Sequence, residues 1–428
     1  MSRLKPAFCV FVLLAGLAAL WHLDVGRSNL PVIRSDGEGY YAYLPAVFLH
    51  RDITMRTLVE DVFRGHPPAG VTRWGGSRRY LDKYPAGEAM LLAPFFGFGS
   101  LAAALSGYRL NGYSPPFQQA VALAGVCYLV IGLSALWSVL ARHFRPGSVA
   151  AVLFVVVFGT NLFHYATFDA AFSHVYSFFL FSVFLWIVER LYREARWAAF
   201  IGAGLVGGVI VTTRPTNGLW LVFAILFGIT SRQDARRRRR FWRIHAAKVV
   251  AAVAVGVAVL GIQMGYWRAI TGSFVVNAYE KNLMDFTRPH VLDVLFSVRK
   301  GLFFWSPVLV GVLPGLWYAR RSARDFVLPM AVFLPLHVYL VSSARIWWYG
   351  GSFGQRPFVE ALPLFAIALC ALYEAVESPW WRRGLLIAFV AAAALSNYLM
   401  FCYWEWRIPV GGPDWAQFVS LFGWWGRR

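Results

Sequence analysis

With 58% of its 428 residues hydrophobic and only 14% charged, the chain falls well below the roughly 25% charge of a soluble globule and is read as an integral membrane protein. A formal charge of +20 would suit nucleic acid, but the bases sit mostly at the ends of apolar runs and in loops. There they act as topology signals and lipid-headgroup contacts, so nucleic acid is excluded as a partner.

Arg3 and Lys5 precede an apolar run from Ala7 to Trp21. This has the form of a signal peptide with a poor cleavage site, and it predicts an uncleaved first helix with a cytoplasmic N-terminus. Further apolar segments follow at about 84–104, 117–140, 149–164, 172–188, 198–213, 217–230, 246–264, 302–318, 326–343, 357–375 and 384–402. A span needs about 20 residues, so several of these borrow flanking Gly, Thr or aromatic residues. Cys9, Cys127, Cys370 and Cys402 lie in or beside these segments at unrelated spacings, which speaks against a disulfide framework or a cysteine zinc site.

Counting crossings decides one assignment. The run Arg236 to Arg240, reinforced by Arg232 and Arg243, belongs in the cytoplasm. Crossing at every segment would put it outside, so one earlier segment does not cross. Segment 84–104 carries Pro85, Glu88, Pro94, Gly87, Gly97 and Gly99, poor choices for a lipid-facing span. It is read as a helix lying on or dipping into the outer face.

About eleven crossings then remain, and Arg142/Arg145, Arg190/Arg193/Arg196, Arg320/Arg321/Arg324 and Arg382/Arg383 all fall inside. The expectation is an all-α polytopic transmembrane bundle forming one integral membrane domain over 1–428. Its first extracytoplasmic loop, 22–116, carries juxtamembrane helices. A second large outer loop covers 265–301, and 403–428 is an interfacial tail containing Trp404, Trp406, Trp415, Trp424 and Trp425.

The same topology collects unusual polar residues on the outer face. Asp36 and Glu38 project from a glycine-flexible stretch followed by Tyr40 and Tyr41. They are either a solvated turn or a catalytic pair, one acid taking a proton from an acceptor hydroxyl while its neighbour orients the acceptor or holds a metal. Lys83, between Asp82 and Tyr84-Pro85, is either a headgroup snorkel or a point charge for a phosphate leaving group. Asp169 reads as a helix cap or a site acid, and His174 lies deeper, where a polar group needs a partner or a cavity.

Arg214 in Arg-Pro-Thr-Asn and Arg356 in Gly-Gly-Ser-Phe-Gly-Gln-Arg suit phosphate oxygens bidentately, or anchor the interface. The Trp347-Trp348-Tyr349 run just before is an aromatic belt or a sugar-stacking platform. No HExxH, CxxC or EF-hand pattern occurs, so no protein-only metal cage is expected, while a divalent ion shared with a substrate stays open.

Taken in order, these motifs resemble those of the GT-C superfamily of membrane glycosyltransferases, which includes protein O-mannosyltransferases, the lipid A aminoarabinose transferase and oligosaccharyltransferases. Asp36-Gly37-Glu38-Gly39-Tyr40-Tyr41 is similar to the acidic motif of that group's first outer loop. Asp82-Lys83-Tyr84-Pro85 is similar to its entry to an amphipathic helix, and Tyr165-Ala166-Thr167-Phe168-Asp169 to a turn found there. The acids here are split by Gly37, so Asp36 is carried as the base by position only.

The resemblance implies a GT-C-like enzyme that moves a sugar from a polyprenyl-phosphate donor to a glycan, lipid or protein acceptor of the cell envelope, with inversion. Its catalytic residues would be Asp36 and Glu38, its donor-phosphate ligands Lys83, Arg214 and Arg356, and its substrate contacts Asp82, Asp169, His174 and Tyr349. Such an enzyme would sit in a bacterial inner membrane with a periplasmic site. The rival reading is a transporter or flippase of a lipid-linked or anionic solute. That calls for ionisable residues near the midplane on broken helices in two related halves, and the sequence has no such repeat.

Overall fold

Backbone polar groups in hydrocarbon have no solvent to bond, so a chain this apolar must satisfy them within helices. The computed structural model describes residues 3–26, 30–279 and 283–423. Among them the only sheet is a two-stranded antiparallel ribbon, β1 (Val71–Arg73) paired with β2 (Tyr80–Asp82). Trp424 and Trp425 of the expected tail lie outside the described residues.

The chain enters through α1 (Leu4–His22), and a short α2 (Asp36–Leu44) and the ribbon lead to α3 (Gly87–Leu105) and α4 (Pro115–Leu140). Next come α5 (Pro146–Phe158), α6 (Leu162–Thr167), α7 (Ser173–Glu194) and α8 (Trp197–Thr213). A tight turn over Pro215–Leu221 runs into α9 (Val222–Leu226), followed by the arginine helix α10 (Arg232–Ile244) and by α11 (Ala246–Thr271). The short α12 (Val291–Phe296) and α13 (Leu302–Trp305) precede α14 (Val312–Ser322) and α15 (Arg324–Ser342). The chain ends with a turn over Arg356–Ala361 that continues as α16 (Leu362–Ala375), then α17 (Pro379–Trp404) and α18 (Trp415–Ser420).

By length and composition, eight helical segments among the described residues are able to cross a membrane. Proline at the first helical position starts α4, α5 and α17, where its missing N–H costs nothing.

Contacts at the two ends of the bundle set the topology. At one end Glu189 of α7 meets Arg142 and His143 after α4, and the Arg145 N–H reaches Glu374 of α16 at 2.6 Å. There too Lys5 of α1 donates to Ser138 at 2.7 Å, and Gly228 donates to Asp325 at 2.9 Å. This is the arginine end. At the other end Gln118 accepts from Ile33 at 2.8 Å, Gln263 accepts from Ala86 at 2.8 Å, and Ser396 donates to Trp305 at 3.2 Å.

Helix α3 is long and apolar enough to cross, yet it does not connect the two ends. Gly87 abuts the backbone of Thr213, Leu91 accepts from Tyr128 at 2.7 Å, and Gly99 faces Phe117 and Ala120. It therefore runs antiparallel to the N-terminal half of α4. Besides α3, the membrane-capable segments among the described residues are α1, α4, α7, α11, α15, Arg356–Ala375 and α17, and α5, α8 and Pro215–Leu226 are shorter apolar helices.

The Arg356–Ala375 segment is the innermost of the long passes, and α1 and α11 are the least buried. Helices α8 and α11 approach closely where Gly204 meets Ala252 and Gly208 meets Gly256, the small-residue contact that serves where lipid offers no hydrophobic drive.

Candidate active site

The site is built on α2. Added side-chain carbon at Gly37 would stand 2.6 Å from the Ala171 methyl, and at Gly39 it would stand 2.3 Å from the Tyr84 ring. Those two glycines let α2 lie flat against the turn before α7 and against the segment after β2. Asp36 thereby meets partners from distant parts of the chain. Its Oδ1 accepts from the Tyr84 hydroxyl at 2.7 Å and its Oδ2 from Arg356 at 2.8 Å.

The Asp36 side chain keeps 27% exposure, so a ligand can reach it. Burial pushes its carboxyl up, but the Arg356 charge, the Tyr84 hydrogen bond and the Lys83 charge outweigh that and hold it below the ordinary carboxylate range.

Lys83 is pinned by its backbone N–H to Gly70 at 3.0 Å, with its ammonium 5.0 Å from the Tyr84 ring centre. It forms no ion pair among the described residues. Arg214 caps α8 from the same side: it donates to Glu360 at 2.6 Å and stands 3.4 Å from His174 Nδ1. A guanidinium only donates, so that contact leaves the His174 proton on Nε2. Tyr349 sits in the left-handed region at φ 53°, within electrostatic reach of Arg214, Glu360 and Arg356, and donates to Val341 at 3.1 Å. A non-glycine residue held there is strained, as residues at functional sites often are.

Asp36, Lys83, Arg214, Arg356, His174 and Tyr349 thus converge. Three other candidates are placed differently. Glu38 turns away and accepts from the Ala69 N–H at 2.9 Å, stapling the loop before β1. Asp82 is fully buried, with one oxygen accepting from the Tyr84 N–H at 2.8 Å and the other unpartnered among the described residues. Burial pushes its carboxyl well up, against smaller opposing effects of that hydrogen bond and Lys83. Asp169 is 4% exposed and bridges Arg34 at 2.6 Å and His164 at 2.8 Å, while His164 Nδ1 accepts the Trp404 indole N–H at 2.9 Å. Burial raises the Asp169 carboxyl, but Arg34 and His164 bring it below its ordinary value. This relay ties the segment entering α2 to the end of α17.

Tyr84 and Glu360, the direct partners of Asp36 and Arg214, carry no sequence signal beyond an acid inside an apolar run at Glu360. Glu88 is another such acid. It is fully buried near Tyr40 and Tyr176, and neither oxygen has a hydrogen-bond partner among the described residues. Lys300, also buried, donates to Gly350, Ser352 and Val410 and so holds the loop that delivers Arg356. No group of three or more His, Cys, Asp or Glu among the described residues is placed to hold a cation.

A largely helical bundle with eight membrane-capable helices is that of an integral membrane protein, and its fold resembles that of GT-C oligosaccharyltransferases. The chain is similar to the archaeal oligosaccharyltransferase AglB from Archaeoglobus fulgidus in complex with an inhibitory peptide and a dolichol-phosphate. The TM-score is 0.53 at 11% identity, covering 96% of this chain and 57% of that one. The apo form of the Archaeoglobus fulgidus oligosaccharyltransferase gives 0.49 at 13% identity, again over 96% of this chain and 57% of that one. The chain therefore spans little more than half the length of these proteins. No protein-family model matches the sequence, and no curated protein matches it.

Proposed function

We propose that the protein is a glycosyltransferase that moves a sugar from a polyprenyl-phosphate donor to an acceptor on the extracytoplasmic side of a bacterial inner membrane. The observation that carries the reading is the Asp36–Arg356 pair at 2.8 Å, flanked by Tyr84, Lys83 and Arg214 in a GT-C fold. The arginine end lies in the cytoplasm, as loop charge dictates.

Asp36 accepts the proton of the acceptor hydroxyl as its oxygen forms a bond to the anomeric carbon. The bond from that carbon to the phosphate oxygen breaks with its electron pair on the phosphate, and attack from the far face inverts the centre. Lys83, Arg214 and Arg356 take up the charge that develops on the leaving lipid phosphate, which is the largest single contribution such a site offers.

The pairing of Asp36 with Arg356 gives the order of events. Without donor the guanidinium suppresses the basicity of Asp36. A phosphate competes for the same guanidinium, and as Arg356 turns to it the burial of Asp36 is offset only by Tyr84 and Lys83, so the carboxylate becomes a better base when the donor arrives. Glu38, tied to Ala69, holds the loop. His174 and Asp169 keep Arg214 and the approach to α2 in place, Asp82 fixes the turn at Tyr84, and Tyr349 faces the sugar.

The test compares cell-envelope glycans, lipids and glycoproteins by mass spectrometry in a deletion strain complemented with wild type or Asp36→Asn. A sugar-bearing species present with the wild type and missing with the variant is expected. If the variant reaches wild-type membrane levels and the product persists, the assignment fails.

A further inference from the structure

Away from the candidate site, two adjoining hollows open on the face between α14 and α15. One, of about 560 Å3, is walled by apolar side chains including Leu316, Met330, Leu334 and Val338. The other, of about 660 Å3, is bordered by Arg232, Arg320 and Arg324 and by Thr230 and Ser231. Arg320, Val327 and Ala331 line both, so the two form one continuous groove. We propose that this groove binds an anionic phospholipid from the leaflet at the arginine end, with its phosphate among Arg232, Arg320 and Arg324 and an acyl chain along Val327, Ala331 and Leu334.

The dimensions suit one leaflet. From Val327 to Val338 the rise along α15 is about 16 Å at 1.5 Å per residue, close to half of the roughly 30 Å hydrocarbon core. Charge fits the headgroup. None of the three arginines forms an ion pair among the described residues, and Arg320 lies 3.4 Å over the Trp317 ring, an exposed aromatic suited to the interface. Of the neighbouring carboxylates, Asp234 accepts from Thr230 and Ser231 at 2.8 Å each, and Asp325, beside Gly228, lies within electrostatic reach of Arg238. Arg238 turns inward to the Phe227 carbonyl and the Tyr192 ring. The Gly228 N–H to the Asp325 carbonyl at 2.9 Å fixes the entry to α10 against α15, which keeps Arg232 beside Arg324 with no ligand present.

The measurement is native mass spectrometry of delipidated protein titrated with phosphatidylglycerol or phosphatidylcholine, with no sugar donor, so it is independent of activity. The wild type is expected to prefer phosphatidylglycerol by tenfold or more. R232Q/R320Q/R324Q should abolish the preference, and Ala331→Trp, which fills the shared stretch, should lower phosphatidylglycerol occupancy to the same level. Val253→Trp, on an exposed face of α11, should leave occupancy unchanged. Melting of each variant in phosphatidylcholine nanodiscs verifies that it folds. Equal binding of the two lipids by the wild type overturns the proposal. Wild-type binding by Ala331→Trp also overturns it, since that would mean headgroup attraction with no groove. Displacement by equimolar polyprenyl phosphate would assign the groove to the donor instead, and would equally overturn it.

Discussion

Replacing Arg214 with Gln strands Glu360, whose side chain is 3% exposed and whose Oε1 lies 2.6 Å from the guanidinium. His174 Nδ1 stands 3.6 Å from that oxygen, beyond hydrogen-bond reach, and does not take the guanidinium's place. Breaking a buried pair by removing one member costs about 3–5 kcal/mol. The Arg214 side chain retains 22% exposure, which places this case near the lower bound, at about 3 kcal/mol or roughly 150-fold in the unfolding equilibrium. Glu360→Gln leaves a partly solvated cation and costs less, about 1.5–2 kcal/mol.

The double variant, with two neutral amides in contact, should return to within about 1 kcal/mol of wild type, because a buried ion pair is worth little against a neutral pair of similar shape. Reversible unfolding in mixed micelles by SDS titration, followed by tryptophan fluorescence, reads all four corners of the cycle. If Arg214→Gln costs under about 1 kcal/mol, or if the double variant is as unstable as that single one, the pair does not hold this region and the reasoning is wrong.

Asp36→Asn should lower kcat by about 10²–10⁴ while donor KM stays level or falls, because Arg356 is then free for the phosphate; unchanged kcat in a transfer assay contradicts the base role. Tyr84→Phe removes a hydrogen bond that lowers the Asp36 pKa, so the acid limb of the pH–rate profile should move to higher pH. The stability sign agrees: the depressed Asp36 pKa contributes stability above its unfolded value that is lost as pH falls through the folded value, and the variant should narrow that contribution in pH-dependent melting. Gly87→Ala would put a methyl 2.3 Å from the Thr213 nitrogen, where only backbone can yield, and should cost about 1–3 kcal/mol. Gly97→Ala, with nothing within 4 Å, serves as its control and should be neutral or stabilising by up to about 1 kcal/mol.

Run lengths and composition were enough to read a helical membrane bundle. The physical cause is that a bilayer dictates the length of a span and loop charge its direction. Asp36, Lys83, Arg214 and Arg356 were visible as candidates for a related reason: a charge at the end of an apolar run needs explaining wherever its partner turns out to be. The partners themselves were not visible. Tyr84 is 48 positions from Asp36 and Glu360 is 146 from Arg214, and no local periodicity joins residues so far apart.

The orientation of the two acids was also hidden. Gly37 and Gly39 advertise only a flexible turn, and it takes Ala171 and the Tyr84 ring pressing on opposite sides of α2 to aim Asp36 at Arg356 and Glu38 at Ala69. What the sequence alone determined was therefore the medium the chain lives in and which residues were out of place there. Which of those residues meet was settled by helix packing, because side-chain pairing depends on close approach across the bundle, and that exists only once the helices are assembled.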